Sequence, residues 1–186
     1  MKTDNRSLKQ KVELRREVCA LLGEPLKVLD LFAGEGRVWW GMKDFCEIES
    51  YTPVDQKPRM SGVIRMTVSA RTVRGFDLSQ FNVLDVDTYG EPWEAWGELA
   101  KMIASETAVF LTHGHVSRSS TMISKFLRAA SGIPLDWDIP KDTSLARRLG
   151  RDFLLSSLQP FQVRKALYIE HTRVTYYGLL LAPKSA

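Results

Sequence analysis

The chain has 186 residues, a net charge of +4, 44% apolar residues and 26% charged ones. These fractions belong to a globular protein with one well-buried core, and they exclude a low-complexity chain. No run approaches the ~18 apolar residues that a membrane helix needs, and two cysteines, Cys19 and Cys46, do not make a disulfide framework. The polar start, MKTDNRSLKQK, lacks the apolar centre of a secretory signal, so the cytoplasm is the expected compartment.

The charge is uneven. Residues 1–93 hold 14 basic and 14 acidic side chains, and residues 94–186 hold 12 and 8. The second half therefore carries the whole excess, which suits a polyanionic partner or an ordinary solvated surface.

Residues 7–22 have apolar positions at Leu8, Val12, Val18, Leu21 and Leu22 with Lys and Arg between them. That spacing predicts an amphipathic helix within an N-terminal helical extension over residues 1–22, stopped by Gly23 and Pro25. KVLDLF then reads as a buried strand, AGEG as a turn and residues 37–45 as a short helix. Strands follow at 50–54, in VIRMTV and at 82–86, with a helix over 91–104 that has Pro92 near its start. AVFLTH is a fifth strand, SSTMISKFLRAASG a helix, GIPLDWDIPKD a break, and residues 143–158 a further helix. VRKALYIEHT and RVTYYGLLLAP close the chain almost without a loop between them, so they must pair antiparallel. Alternating strands and helices with a terminal hairpin predict a single-domain, Rossmann-like α/β sandwich with a mostly parallel sheet.

In such sheets ligands bind beyond the carboxyl ends of the strands. The turn after the first strand, F-A-G-E-G, has Gly34 and Gly36 where a ligand would approach the backbone. It lacks the G-x-G-x-x-G fingerprint, and Glu35 would repel a pyrophosphate. Asp30 inside the strand adds a second acid. Asp55 follows the second strand, 19 residues after Gly36, a spacing suited to two ribose hydroxyls. A ligand with a ribose, a cationic part and no pyrophosphate fits, and S-adenosylmethionine is such a ligand.

VLDLFAGEGR with Asp55 downstream resembles the first two motifs of class I S-adenosylmethionine-dependent methyltransferases, and the likeness in element order covers nearly the whole chain. The resemblance implies a cofactor set of Asp30, Phe32, Ala33, Gly34, Gly36, Asp55, Gln56 and Asp85. Within it, Asp30 supports the turn, Asp55 holds the ribose and Gln56 faces the adenine.

The stretch D-V-D-T-Y-G-E-P-W, residues 85–93, puts Asp85 and Asp87 on one strand face. It is similar to the Asp-Pro-aromatic-Gly-x-Pro motif of tRNA guanine dimethyltransferases, with Thr88 in place of the first proline. The resemblance implies Asp87 as the acid that orients a target amine and Tyr89 as the ring that stacks on a base. Thr88, Gly90, Pro92, His113 and Arg118 are the expected substrate contacts. His113 and His115 lack a third ligand, so no metal is expected. Arg118, Lys125, Arg128, Arg147, Arg148 and Arg151 are candidates for a phosphate-binding surface, and Trp137 for a stacking ring or a core plug.

The expected function is methyl transfer to an amino group of an RNA or DNA base. A small-molecule methyltransferase and a catalytically silent cofactor-binding subunit are the other readings. The sequence does not indicate an oligomeric state.

Overall fold

The computed structural model describes residues 7–88, 90–114, 123–136 and 143–184. In chain order the elements are α1 (Leu8–Cys19), β1 (Leu26–Leu31), α2 (Arg37–Met42), β2 (Ile48–Asp55), β3 (Ile64–Arg65), α3 (Ala70–Val73), β4 (Val83–Val86), α4 (Trp93–Leu99), β5 (Thr107–Gly114), α5 (Lys125–Ala130), α6 (Thr143–Ser157), β6 (Phe161–Glu170) and β7 (Val174–Pro183). Seven strands form one sheet in the order β3-β2-β1-β4-β5-β7-β6. β3, β2, β1, β4 and β5 run parallel, and β7 enters antiparallel between β5 and β6. The fold is the Rossmann-like three-layer sandwich with a C-terminal antiparallel hairpin that the element order predicts.

Strand periodicity builds the two cores. Leu29, Leu31, Leu84, Val86, Val109 and Leu111 point to one face, under Trp93, Trp96, Leu99, Leu127, Ala146 and Leu154 of the later helices. Val28, Val83, Ala108 and Phe110 point to the other, under Val18 and Cys19 of α1 and Trp39 and Met42 of α2. Alternation assigns Asp30 and Asp85 to this second face, and they are paired across β1 and β4.

Several elements are shorter than their patterns suggest. VIRMTV forms pairs only at Ile64 and Arg65, an exposed edge piece, and the helix over 91–104 begins at Trp93 and ends at Leu99. Within the expected N-terminal extension, α1 lies on the sheet as part of the α1–α2 layer. It comes close to β7 because position 178 is glycine: a Cβ there would stand 3.0 Å from Leu14 Cγ. Both cysteines are free thiols, Cys19 buried and Cys46 half-buried. No described helix is long and apolar enough to cross a membrane.

Candidate active site

The turn after β1 is shaped by three residues in the left-handed region: Phe32 (φ 71°), Gly34 (58°) and Gly36 (65°). For Phe32 that conformation is unfavourable. It is held by two hydrogen bonds, because the Phe32 and Ala33 N–H groups both donate to the Val54 carbonyl. The bare face of Gly34 is open; an added Cβ would meet only the Phe32 carbonyl, at 4.0 Å. Gly36 is buried, and a Cβ there would run into Met60 Sδ at 2.8 Å and the Tyr51 hydroxyl at 3.1 Å.

Asp55 ends β2 beside this turn. Its Oδ2 accepts from Gly34 N–H at 2.9 Å and its Oδ1 from Lys57 N–H at 2.6 Å. Each carboxylate oxygen has two lone-pair directions, so both can accept a further donor. Gln56 is exposed next to it. Asp55 thus offers carboxylate acceptors beside an open, glycine-lined turn, an arrangement suited to a ligand that carries hydroxyl donors and a cationic group.

Asp30 is buried and accepts a 2.7 Å hydrogen bond from the Tyr51 hydroxyl. Burial and then the charge of Asp85 push its carboxyl well above the usual range, and Tyr51 only partly opposes this. Asp85 is 1% exposed and is not at the surface of the site. Arg15 from α1 holds it bidentately, Nε to Oδ2 and Nη2 to Oδ1, both at 2.8 Å, and Trp39 Nε1 donates to Oδ2 at 2.8 Å. The expected cofactor contact at Asp85 is thus corrected: its carboxylate is buried and accepts three hydrogen bonds from α1 and α2, so it acts behind the site. Burial works against the Arg15 charge, but Asp85 and then Asp87 outweigh it and keep the guanidinium protonated.

Asp87 is half-buried one step beyond Asp85, its N–H donating to the Leu31 carbonyl. Lys11 Nζ reaches both of its oxygens, at 2.7 and 2.5 Å. Burial opposes the Asp87 carboxylate, but Lys11 and then Arg15 overcome it and hold the carboxyl below its usual range. Strand register puts Pro53, Asp30 and Asp85 in one row, so Asp55 and Asp87 stand two residues past that row on the same sheet face. They flank the glycine turn from either side.

Thr88 occupies the place of the missing proline. Its hydroxyl lies 2.8 Å from the Gly90 carbonyl and 3.0 Å from the Thr112 carbonyl, and it accepts from Gly90 N–H at 3.3 Å. A buried hydroxyl thus ties the turn to β5. Pro92 is buried at the start of α4, and both Glu91 oxygens accept from Ser124 N–H, at the head of α5.

His113 has 0% exposure, so it does not line a substrate mouth. Its ring packs edge-on against Trp93, centroids 4.8 Å apart. Tyr89, His115, Arg118 and Trp137 lie outside the described residues. Of the basic set on the second half, Arg147 is paired with Glu170 at 2.5 Å, and Arg148 and Arg151 are exposed. Lys11, Arg15, Trp39 and Tyr51 were not expected at the site. Their one sequence signal is that Lys11 and Arg15 fall in the stripe 8-11-15-18-22, among apolar residues of α1.

No family model matches the chain, and no curated protein matches it in sequence. Its fold is found among solved structures. A Lactococcus lactis protein provisionally named a hemolysin aligns with a TM-score of 0.59 at 11% identity, over 93% of this chain and 86% of its own. Trm1 from Pyrococcus horikoshii, solved with S-adenosyl-L-methionine, gives 0.54 at 12%, over 98% of this chain and 56% of its own. The CurJ carbon methyltransferase gives 0.55 at 11%, over 96% and 56%. At these identities the likeness is one of fold: the chain shares its Rossmann-like sandwich with these three structures.

Proposed function

We propose that this chain is an S-adenosylmethionine-dependent methyltransferase that acts on an amino group of a nucleic-acid base. The observation that carries the reading is the placement of Asp55 and Asp87 on one sheet face, either side of an open glycine turn. The base-directed part rests on the D-x-Y-G-x-P stretch and on the basic excess of the second half.

In this reading Asp55 accepts from the ribose hydroxyls, and the Phe32–Gly36 backbone, supported by Asp30 through Tyr51, forms the floor for the methionine part. When bound, the cofactor supplies an electrophilic methyl on a sulfonium. Asp87 accepts a hydrogen bond from the acceptor amine and keeps its lone pair aimed along the line of attack. As the nitrogen gains its fourth bond the methyl–sulfur bond would break, leaving a neutral thioether; the same carboxylate would stabilise the positive charge that develops on nitrogen, and the proton that nitrogen sheds would pass to solvent. Tyr89 stacks on the base, which must be unpaired or flipped to enter.

The test is transfer of labelled methyl from S-adenosylmethionine into total tRNA, rRNA, DNA and small-molecule extracts. Incorporation into nucleic acid that weakens as salt rises is the expected result. Asp87→Ala should abolish it with cofactor affinity nearly unchanged, and Asp55→Ala should weaken cofactor binding. Label confined to small molecules would overturn the base assignment. A chain that shows no calorimetric heat with the cofactor or its demethylated product would overturn the whole reading.

A further inference from the structure

Helix α1 lays two cations on two carboxylates. Lys11 and Arg15 are four residues apart on the helix, and Asp87 and Asp85 are two apart on β4 and its exit. Four helical residues rise about 6 Å and two strand residues about 6.6 Å, so the ladders match. The two contacts differ in exposure. The Arg15–Asp85 pair has 2% of each side chain exposed and is structural. In the Lys11–Asp87 pair 17% and 22% remain exposed, so this pair sits where the buried ladder meets the open turn.

We infer that Lys11 is a positioning residue for Asp87: it fixes the orientation of that carboxylate and keeps it ionised as the hydrogen-bond acceptor of the site. The role of Asp87 in accepting an amine rests on the function proposed above; the effect of Lys11 on Asp87 does not. Among the described residues, Lys11 is the charged group that touches Asp87 directly. Around the pair, α1 also supplies Arg15, β4 supplies Asp85, β1 supplies Asp30, β5 supplies the Thr112 hydroxyl and β7 places the Tyr176 ring 5.0 Å below the Lys11 ammonium. Two of these neighbours are acids. Without Lys11, Asp87 would face the Asp85 charge with Arg15, already bidentate on Asp85, and the Thr112 hydroxyl to offset it. The contact leaves room for an incoming donor. A carboxylate has about four lone-pair sites, and one ammonium engages two of them.

The experiment titrates Asp87 directly and through catalysis. Carboxyl-¹³C NMR of Asp-labelled protein, with Asp87→Asn assigning the line, should show Asp87 titrating below the ordinary aspartate range. In Lys11→Met the midpoint should rise by about one unit or more, the size expected when a contacting opposite charge is lost. Lys11→Arg should restore it. Lys11→Gln is the second variant should the methionine protein fail to fold. Where methyl transfer is measured, the acid limb of the kcat/KM profile should move to higher pH in step with the NMR midpoint, with cofactor affinity held. An unmoved Asp87 midpoint in both Lys11→Met and Lys11→Gln would overturn the inference. A moved midpoint in a protein that transfers no methyl would uphold it and overturn the proposed function instead.

Discussion

Replacing Arg15 by methionine tests the energetics that hold α1 to the sheet. The guanidinium is fully buried, donates twice to Asp85, and lies 4.9 Å over the Phe110 ring. Methionine keeps most of the apolar stem, so the main loss is electrostatic. Asp85 is then left with one donor, Trp39 Nε1, in an enclosed place. Breaking a buried ion pair from one side costs about 3–5 kcal/mol, because the remaining charge is uncompensated. Against a total stability of about 5–15 kcal/mol, that is a large fraction. The control is the double variant Arg15→Met with Asp85→Asn, which removes the charge along with its partner. It should recover a substantial part of the loss, on the order of half, since what is left is mostly an imperfectly satisfied amide. Urea unfolding followed by tryptophan fluorescence measures both. Trp39, bonded to the same carboxylate, reports on the site itself. A single variant that loses less than about 1 kcal/mol, or a double variant as unstable as the sum of its parts, would refute the claim that Asp85 is held as a buried anion by Arg15.

Three further outcomes follow from the geometry. Asp30 has its folded pKa pushed above the unfolded value, so its favourable contribution is complete below about pH 4 and is lost as pH rises through the folded value. Asp30→Asn should therefore gain stability relative to the parent across this rise, and a pH-independent difference between the two denaturation series would contradict it. Gly150→Ala places a Cβ 2.6 Å from both His113 Cε1 and Trp93 Cζ2, two rigid rings, so α6 must move away from α4. The expected loss is about 1–3 kcal/mol in urea, and a neutral effect would show that the contact yields freely. Thr88→Val keeps the shape but removes the hydroxyl that joins the Gly90 and Thr112 carbonyls. Amide hydrogen exchange at Gly90 and Gly114 should quicken several-fold, and unchanged protection would mean that the backbone alone fixes this turn.

What could be read from the sequence, and what could not, divides by the range of the interaction. The strands were legible because burial on both sheet faces writes itself as short apolar runs, and Leu29, Leu31, Leu84 and Val86 sit where those runs put them. The edge was less legible: VIRMTV is apolar by composition, yet Ile64 and Arg65, which pair with β2 at the end of the sheet, are exposed. The glycine turn was legible as a need for positive φ, but the same conformation at Phe32 was not, since it follows from two hydrogen bonds to Val54 on another strand. The acids announced themselves by standing at strand tips. Their partners did not. Lys11 and Arg15 are 76 and 70 residues away from Asp87 and Asp85, in a helix whose cations look like solvent-facing charge. Residue type alone assigns Arg15 to water, although its place in the 8-11-15-18-22 stripe sets it among apolar residues, and counting on β4 alone assigns Asp85 to a ligand. Only when a helix advancing four residues is set against a strand advancing two does each charge become the explanation of the other.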